Sequence, residues 1–413
     1  MGNKQQRLDW FADLALGMFI HWSVDCPLGL IISHSMVGAS DAYLERYIRE
    51  LPGLFAPEKF NPRAWARLAR TAGMRYVVFT AKHHNGFCMW DTHTTDFNVM
   101  NTPLGRDVVR EVVDAFRAEG LAVGLYFSPD DFWYLHKHGI PPSRLRPESL
   151  PSANPGLQKH NQSQLRELLT GYGPVDLLFF DIKRERPEDL NGLAWELQPD
   201  VVVTRGAMET PEQKLPDEAL PRPWEACYTI GRSWQHRPTN EVYKTGTRLI
   251  ELFIQTRARG GNLLLNIGPN ADGEIPDEQV RPLREFALWH FIHAEALHEV
   301  EPWDICRDGD VWFTKQRNGP TVYAFCTGEP WPVGEWRTVT LDGVELPADA
   351  GVELVGQSGE VVEYHPEIVP KASWEQDENG LHITAMRAVR LYNDRRWPNP
   401  VVIRLPEASV KRR

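Results

Sequence analysis

Between residues 16 and 300 the chain alternates short, almost wholly apolar runs with longer stretches that carry charge on one face. The apolar runs are "GMFIHWS", "YVVFTAKHH", "LAVGLYFS", "VDLLFFD", "VVVTR", "ACYTI" and "NLLLNIG". Short apolar runs bounded by turn formers predict strands covered on both faces, as in parallel sheets. The stretches between them have helical spacing. In "NPRAWARLARTAG", Trp65, Leu68, Ala69 and Ala72 fall on one face. Asn61 and Pro62 suit the N-cap and first turn of that helix, and Gly73 suits its exit. "GRDVVREVVDAFRAEG" reads as a second such helix. Repeated β-then-α order implies parallel strands joined by crossovers. Seven or eight such units in about 300 residues predict a (β/α)8-like TIM barrel. A doubly wound sheet fits less well, because no GxGxxG turn follows the first strand.

The pattern changes after "VEPWDICRDGD". "TVYAFCTG", "EWRTVTLDGVEL", "VELVGQSGEVVEY", "GLHITAM" and "PVVIRLP" are short alternating segments separated by Gly, Pro and Asp. They predict an antiparallel β-sandwich, so the expected division is a catalytic barrel at 1–300 and an accessory domain at 301–413. Two irregular, Pro-rich inserts, Phe132 to Pro155 and Ala207 to Pro223, fall where long βα loops would build the active face of a barrel.

Composition narrows the function classes. A 413-residue chain with 42% hydrophobic residues, 15 Trp and 17 Phe has ample material for a large core. The formal charge of −11 and pI near 5.7 point away from nucleic acid and anionic membranes as partners. No apolar run is long enough to span a bilayer. The five cysteines are scattered, odd in number and never in a CxxC pair, which predicts neither a disulfide framework nor a Cys-rich zinc site. With no apolar signal core at the start, the expected location is cytoplasmic and reducing, or elsewhere if a leader has been trimmed. Homo-oligomerisation is left open.

Side chains at the C-terminal ends of barrel strands converge on one face. Those ends supply His21 and Trp22, His83 and His84, Tyr126, Asp181, Arg205 and Asn266. A lone His at a strand end is usually structural and a lone Asp usually a cap; this many at equivalent positions point to a site. No HExxH or GxSxG occurs, so neither a catalytic metal nor a serine nucleophile is expected, and no organic cofactor is called for. Carboxylate chemistry in an aromatic, His- and Arg-lined pocket suits a sugar. Glycoside cleavage needs two carboxyls. Asp181 offers the first, and Glu225 in "PWEACYTIGRSW" is the candidate for the second.

These segments resemble glycoside hydrolase family 29, the α-L-fucosidases. "GMFIHWS" is similar to the family's opening strand, and "FNPRAWARLARTAGMRYVVFTAKHHNGFCMWDTHTTDFN" to its block around "KHHDGF". "GLYFS" resembles its "GxYYS", and "PVDLLFFD" its nucleophile strand, "DxxWFD". "VVVTRG", "ETPEQKLP" and "PWEACYTIGRSW" resemble its Arg strand, TPEQ loop and "WExCxTIxxSWGY" segment; "GGNLLLNIGPNADGEIP" is close to another family stretch. The resemblance implies retaining hydrolysis of terminal α-L-fucosyl residues on fucosylated oligosaccharides or glycoconjugates. Asp181 would be the nucleophile and Glu225 the acid/base, with His21, His83, His84, Tyr126, Arg205 and Trp234 around the sugar. The chain departs from the family at Ala42 before Tyr43, at Asn85, Phe179 and Ile182, and at Gln235 and His236. Those changes leave as alternatives a related α-L-glycoside such as an α-L-galactoside, or an inactive fucose-binding protein; a separate rival is a metal-dependent hydrolase on a similar barrel using His21, His83 and Asp181.

Overall fold

The computed structural model describes residues 2–182, 188–221, 223–391 and 397–411. Among them, seven strands form one curled sheet: β1 (Leu16–Ile20), β2 (Tyr76–Lys82), β3 (Ala122–Phe127), β4 (Leu177–Phe180), β5 (Val202–Val203), β6 (Glu225–Thr229) and β7 (Asn262–Ile267). Their order is β5-β4-β3-β2-β1-β7-β6, and β1 through β5 pair in parallel. Every strand residue is buried except Ala122, which is half-buried, as the unbroken apolar runs require. All seven strands feed one interior cluster: Phe19, Tyr76, Val78, Tyr126, Leu177, Phe179, Val202, Cys227 and Leu264. That convergence makes the sheet (β/α)8-like. Each fully buried Phe in it contributes about 1.5–3 kcal/mol.

The helical readings hold at their ends as well as their centres. Pro62–Thr71 is a helix whose cap, the Asn61 side chain, accepts from Ala64 N, and Gly73 leaves it at φ 79°. Val108–Ala118 is capped by the Asp107 side chain and buries Val109, Val112, Val113 and Phe116. The first insert is more ordered than its prolines suggest. It opens with a helix, Phe132–Lys137, because the Asp131 side chain accepts from Tyr134 N, and continues through 3-10 turns at Pro147–Ser149 and Pro151–Ala153.

The second insert pairs with β6 on the side away from β7. Glu225 N donates to Glu209 O, Cys227 N to Pro211 O and Gln213 N to Cys227 O. Glu212 and Cys227 form a parallel bridge. The backbone on either side of Glu212 is therefore fixed by pairing to β6.

Contacts divide the chain into two compact units, the first Met1–Lys214, Pro223–Tyr243 and Leu264–Val280, the second Leu215–Arg222, Lys244–Leu263 and Arg281–Arg413. The second contains a five-stranded antiparallel sheet in the order Glu353–Leu354, Val401–Leu405, Val322–Cys326, Val311–Gln316, Val300–Asp308. A three-stranded antiparallel sheet orders Trp336–Leu341, Gly380–Met386 and Ser373–Asp377. Phe313, Val322, Ala324 and Ile403 of the larger sheet share a core with Leu341, Leu381 and Ile383 of the smaller. This is a β-sandwich.

Candidate active site

A cleft of about 510 Å³ opens in the first unit at the C-terminal ends of the parallel strands. It is lined by His21, His83, His84, Tyr126, Asp181, Arg205 and Trp234, the binding residues expected from the sequence together with one expected carboxylate. Ser33, His34, Arg144, Glu212, Phe19, Phe179 and Cys227 also line it.

Asp181 follows β4 directly, and its carboxylate is held on both oxygens. Tyr126 Oη donates to Oδ2 at 2.7 Å, and His84 Nε2 lies 3.2 Å from the same oxygen, off the hydrogen-bond angle. Arg205 Nη1 donates to Oδ1 at 3.2 Å, and Arg144 Nη2 lies 3.8 Å away. Burial alone would raise this carboxyl, but His84, Arg205 and Arg144 outweigh it and hold Asp181 well below the usual carboxylate range. The group is an anion throughout the physiological range. Asp176, at the opposite end of the strand, is structural: Oδ2 accepts from Val123 N and Oδ1 pairs with Arg7.

The histidines are oriented by neighbours. Asn266 Nδ2 donates to Trp234 O at 2.6 Å, which leaves Oδ1 to accept from His21 Nδ1–H at 2.6 Å. His21 Nε2 is then an acceptor. Burial pushes His21 down to about 3, so it is neutral. His83 Nδ1 accepts from His84 N at 2.9 Å, making Nε2–H its donor, and burial followed by the neighbouring histidines drives it well below its ordinary value. His84 Nδ1 meets Ser128 Oγ at 2.5 Å. The His83 ring stacks on Tyr126 with centroids 5.0 Å apart, and Trp234 lies 4.9 Å from His21. Ligand atoms of His83, His84 and Asp181 all lie within 4.8 Å of one another, close enough to hold a metal ion. His21, the metal ligand considered from sequence, is outside that trio.

Glu225 is not among the residues that line the cleft. It opens β6, at the end of the barrel away from the pocket, whereas Cys227, two residues on and facing the same way, lies on the pocket floor. Glu225 is fully buried, and Tyr76 Oη donates to its Oε2 at 2.6 Å. Burial raises it to about 7, against the opposing pull of Tyr76, Arg205 and Thr204. The second carboxyl in the cleft is Glu212, from the "TPEQ" insert, whose Oε2 accepts from Arg205 Nη1 and Nη2, each at 3.1 Å. The signal for Glu212 was its loop on the active face; the signal against Glu225 was its place before, not after, an apolar run.

Several departures from the family pattern have a local reason. The Phe179 ring packs beneath the Arg205 guanidinium, 4.8 Å from its centroid. Asn85 and Gln235 belong to one buried network: Gln235 Nε2 and Tyr47 Oη donate to Asp25, and Asn85 Nδ2 donates to Tyr47 Oη. Nothing in the structure explains Ile182 or His236.

The sequence model of the α-L-fucosidase family matches residues 2–295. Rat plasma α-L-fucosidase is 32% identical over 365 residues, covering 78% of each chain. Among solved structures, α-L-fucosidase isoenzyme 1 from Paenibacillus thiaminolyticus superposes with a TM-score of 0.78 at 27% identity, covering 99% of both chains. The Thermotoga maritima α-fucosidase in complex with fucose gives 0.75 at 25% identity, covering 96% of both. The interior barrel pocket with its carboxylate, and the match along nearly the whole first unit, lead to one conclusion: the chain belongs to the α-L-fucosidase family.

Proposed function

We propose that the retaining hydrolysis of α-L-fucosides by this chain runs through Asp181 as nucleophile and Glu212 as acid/base. The observation that carries this reading is the shared Arg205. Its Nη1 lies 3.2 Å from Asp181 Oδ1 and 3.1 Å from Glu212 Oε2. Two carboxyls on one nitrogen are held within about 6 Å, near the ~5–5.5 Å of retaining glycosidases and short of the spacing that admits an inverting water.

Asp181, ionised and braced on both oxygens, attacks the anomeric carbon and forms a glycosyl-enzyme. Glu212, its side chain 39% exposed against 14% for Asp181, sits toward the mouth where a leaving group would lie. It protonates the departing oxygen and then activates water for the second step. Neutral His21 and His83 can bond the sugar's hydroxyls without opposing the positive charge that develops on the ring. Phe19, Phe179 and Cys227 close the floor, which favours a single terminal sugar unit from a fucosylated oligosaccharide or glycoconjugate.

Trapping with 2-deoxy-2-fluoro-α-L-fucosyl fluoride tests the nucleophile. The expected result is a mass increase of one fluorofucosyl group, mapped to the peptide carrying Asp181. A label on another carboxyl overturns the assignment.

A further inference from the structure

Arg144 reaches the cleft from the first insert, between the Phe132–Lys137 helix and the turn at Pro147–Ser149, and its side chain is 11% exposed. One edge of its guanidinium is fixed: Nε donates to Asp130 Oδ2 at 2.5 Å. The other edge faces the nucleophile. Nη2 is buried, lies 3.8 Å from Asp181 Oδ1, and makes no hydrogen bond among the described residues. Arg205, the other guanidinium of the pocket, has both terminal nitrogens occupied, by Asp181, Glu212 and Thr210 O. Of these two guanidinium groups, Arg144 is the one that keeps a pocket-facing nitrogen without a hydrogen bond among the described residues. Asp130 and Asp181 balance the charge, but a buried N–H with no hydrogen-bond acceptor is costly, so the arrangement calls for an acceptor that arrives with the substrate.

The position of that acceptor follows from the attack geometry. A carboxylate poised to attack stands about 3–3.5 Å from the anomeric carbon. A donor beside that carboxylate meets the substituents on the anomeric carbon's two ring neighbours: the ring oxygen and the hydroxyl of carbon 2. The ring oxygen gains positive charge in the oxocarbenium-like transition state and becomes a poor acceptor for a cation. The hydroxyl of carbon 2 remains a good one, and bonds to it strengthen in the transition state. The Asp130 carboxylate offsets the charge of the guanidinium, so the donor does not add a net cation beside the reacting carbon.

We propose that Arg144 is a substrate-binding residue whose Nη2 donates to the carbon-2 hydroxyl of the bound α-L-fucosyl ring; this rests on Asp181 being the nucleophile. Arg144 is thereby a specificity determinant supplied by the insert, apart from the strand-end residues.

The test is a cycle between enzyme and substrate. kcat/KM is measured for wild type and Arg144→Gln on 4-nitrophenyl α-L-fucoside and on its 2-deoxy counterpart. The expected loss for Arg144→Gln on the fucoside is on the order of 50-fold, what a charge-assisted hydrogen bond contributes. On the 2-deoxy substrate the same substitution costs at most about threefold, since the bond is already absent. Equal losses on both substrates, or no loss on either, overturn the proposal, because a residue that merely shapes the loop affects both alike. If Arg144→Gln does not fold by circular dichroism, Arg144→Lys keeps the charge beside Asp130 and is compared in the same way. Fluorosugar labelling of wild type separates the two readings: label on Asp181 without substrate-dependent loss removes only the Arg144 role, and label elsewhere removes the Asp181 assignment itself.

Discussion

Asp181 and Glu212 are bridged by a single nitrogen, Arg205 Nη1, 3.2 Å from one carboxylate and 3.1 Å from the other. The two groups need different protonation states in the first step, and Arg205 favours the anion at Asp181. Arg205 makes one bond to Asp181 and two to Glu212, and the addition of His84 and Arg144 on Asp181 makes that carboxylate the committed anion. Arg205→Met should lower kcat/KM by about 10²–10³-fold, the scale of one preorganised electrostatic contact. The sign of the pH effect follows. Removing a cation raises Asp181, which must be ionised to attack, so the acidic limb of kcat/KM moves to higher pH. An unmoved limb contradicts the coupling.

Glu212 and Glu225 are separated by leaving-group dependence. Glu212→Ala should lose about 10³-fold or more on a natural oligosaccharide and much less on an activated aryl fucoside, which needs little protonation. Glu225→Gln, beneath the floor, should keep both activities within a few-fold. The reverse pattern would return the acid/base role to Glu225.

Glu225 has a consequence for stability instead. Its folded value near 7 lies above the ordinary value of 4.5. The folded state therefore holds this proton more tightly than the unfolded chain does. That contribution is complete below 4.5 and is lost as pH rises through 7, a difference of the order of 3 kcal/mol. Thermal melts should show Glu225→Gln gaining on wild type between pH 5 and pH 8. A constant difference across that range contradicts a raised Glu225.

His83, His84 and Asp181 lie close enough to hold an ion, yet the proposed mechanism uses them without one: His83 Nδ1 accepts from His84 N, and His84 Nε2 lies 3.2 Å from Asp181 Oδ2. Protein dialysed exhaustively against a chelator is expected to keep full activity on the aryl fucoside. Loss restored by one divalent metal would favour metal-assisted hydrolysis.

The strand-end residues were legible because both signals, apolar run and polar terminus, are local. His21, His84, Tyr126, Asp181 and Arg205 each follow a run that can only be a buried strand, and Asn61 announced its helix cap. Arg144 and Glu212 were not, because loops bring them to the cleft and loop paths depend on distant partners: Asp130 for Arg144, the edge of β6 for Glu212. Glu225 was misplaced for a different reason. The motif drew attention to the residue, while its position at the start of β6 sends it to the far end of the barrel. Strand polarity, available from sequence, outweighs motif in this case.

If Asp181 is the nucleophile, Asp181→Gly assayed with and without azide reveals it. The expected result is a loss of several orders of magnitude on an aryl α-L-fucoside, partly rescued by azide with formation of β-L-fucosyl azide, as a small anion fills the space of the missing carboxylate. Activity at the wild-type rate without azide would contradict it.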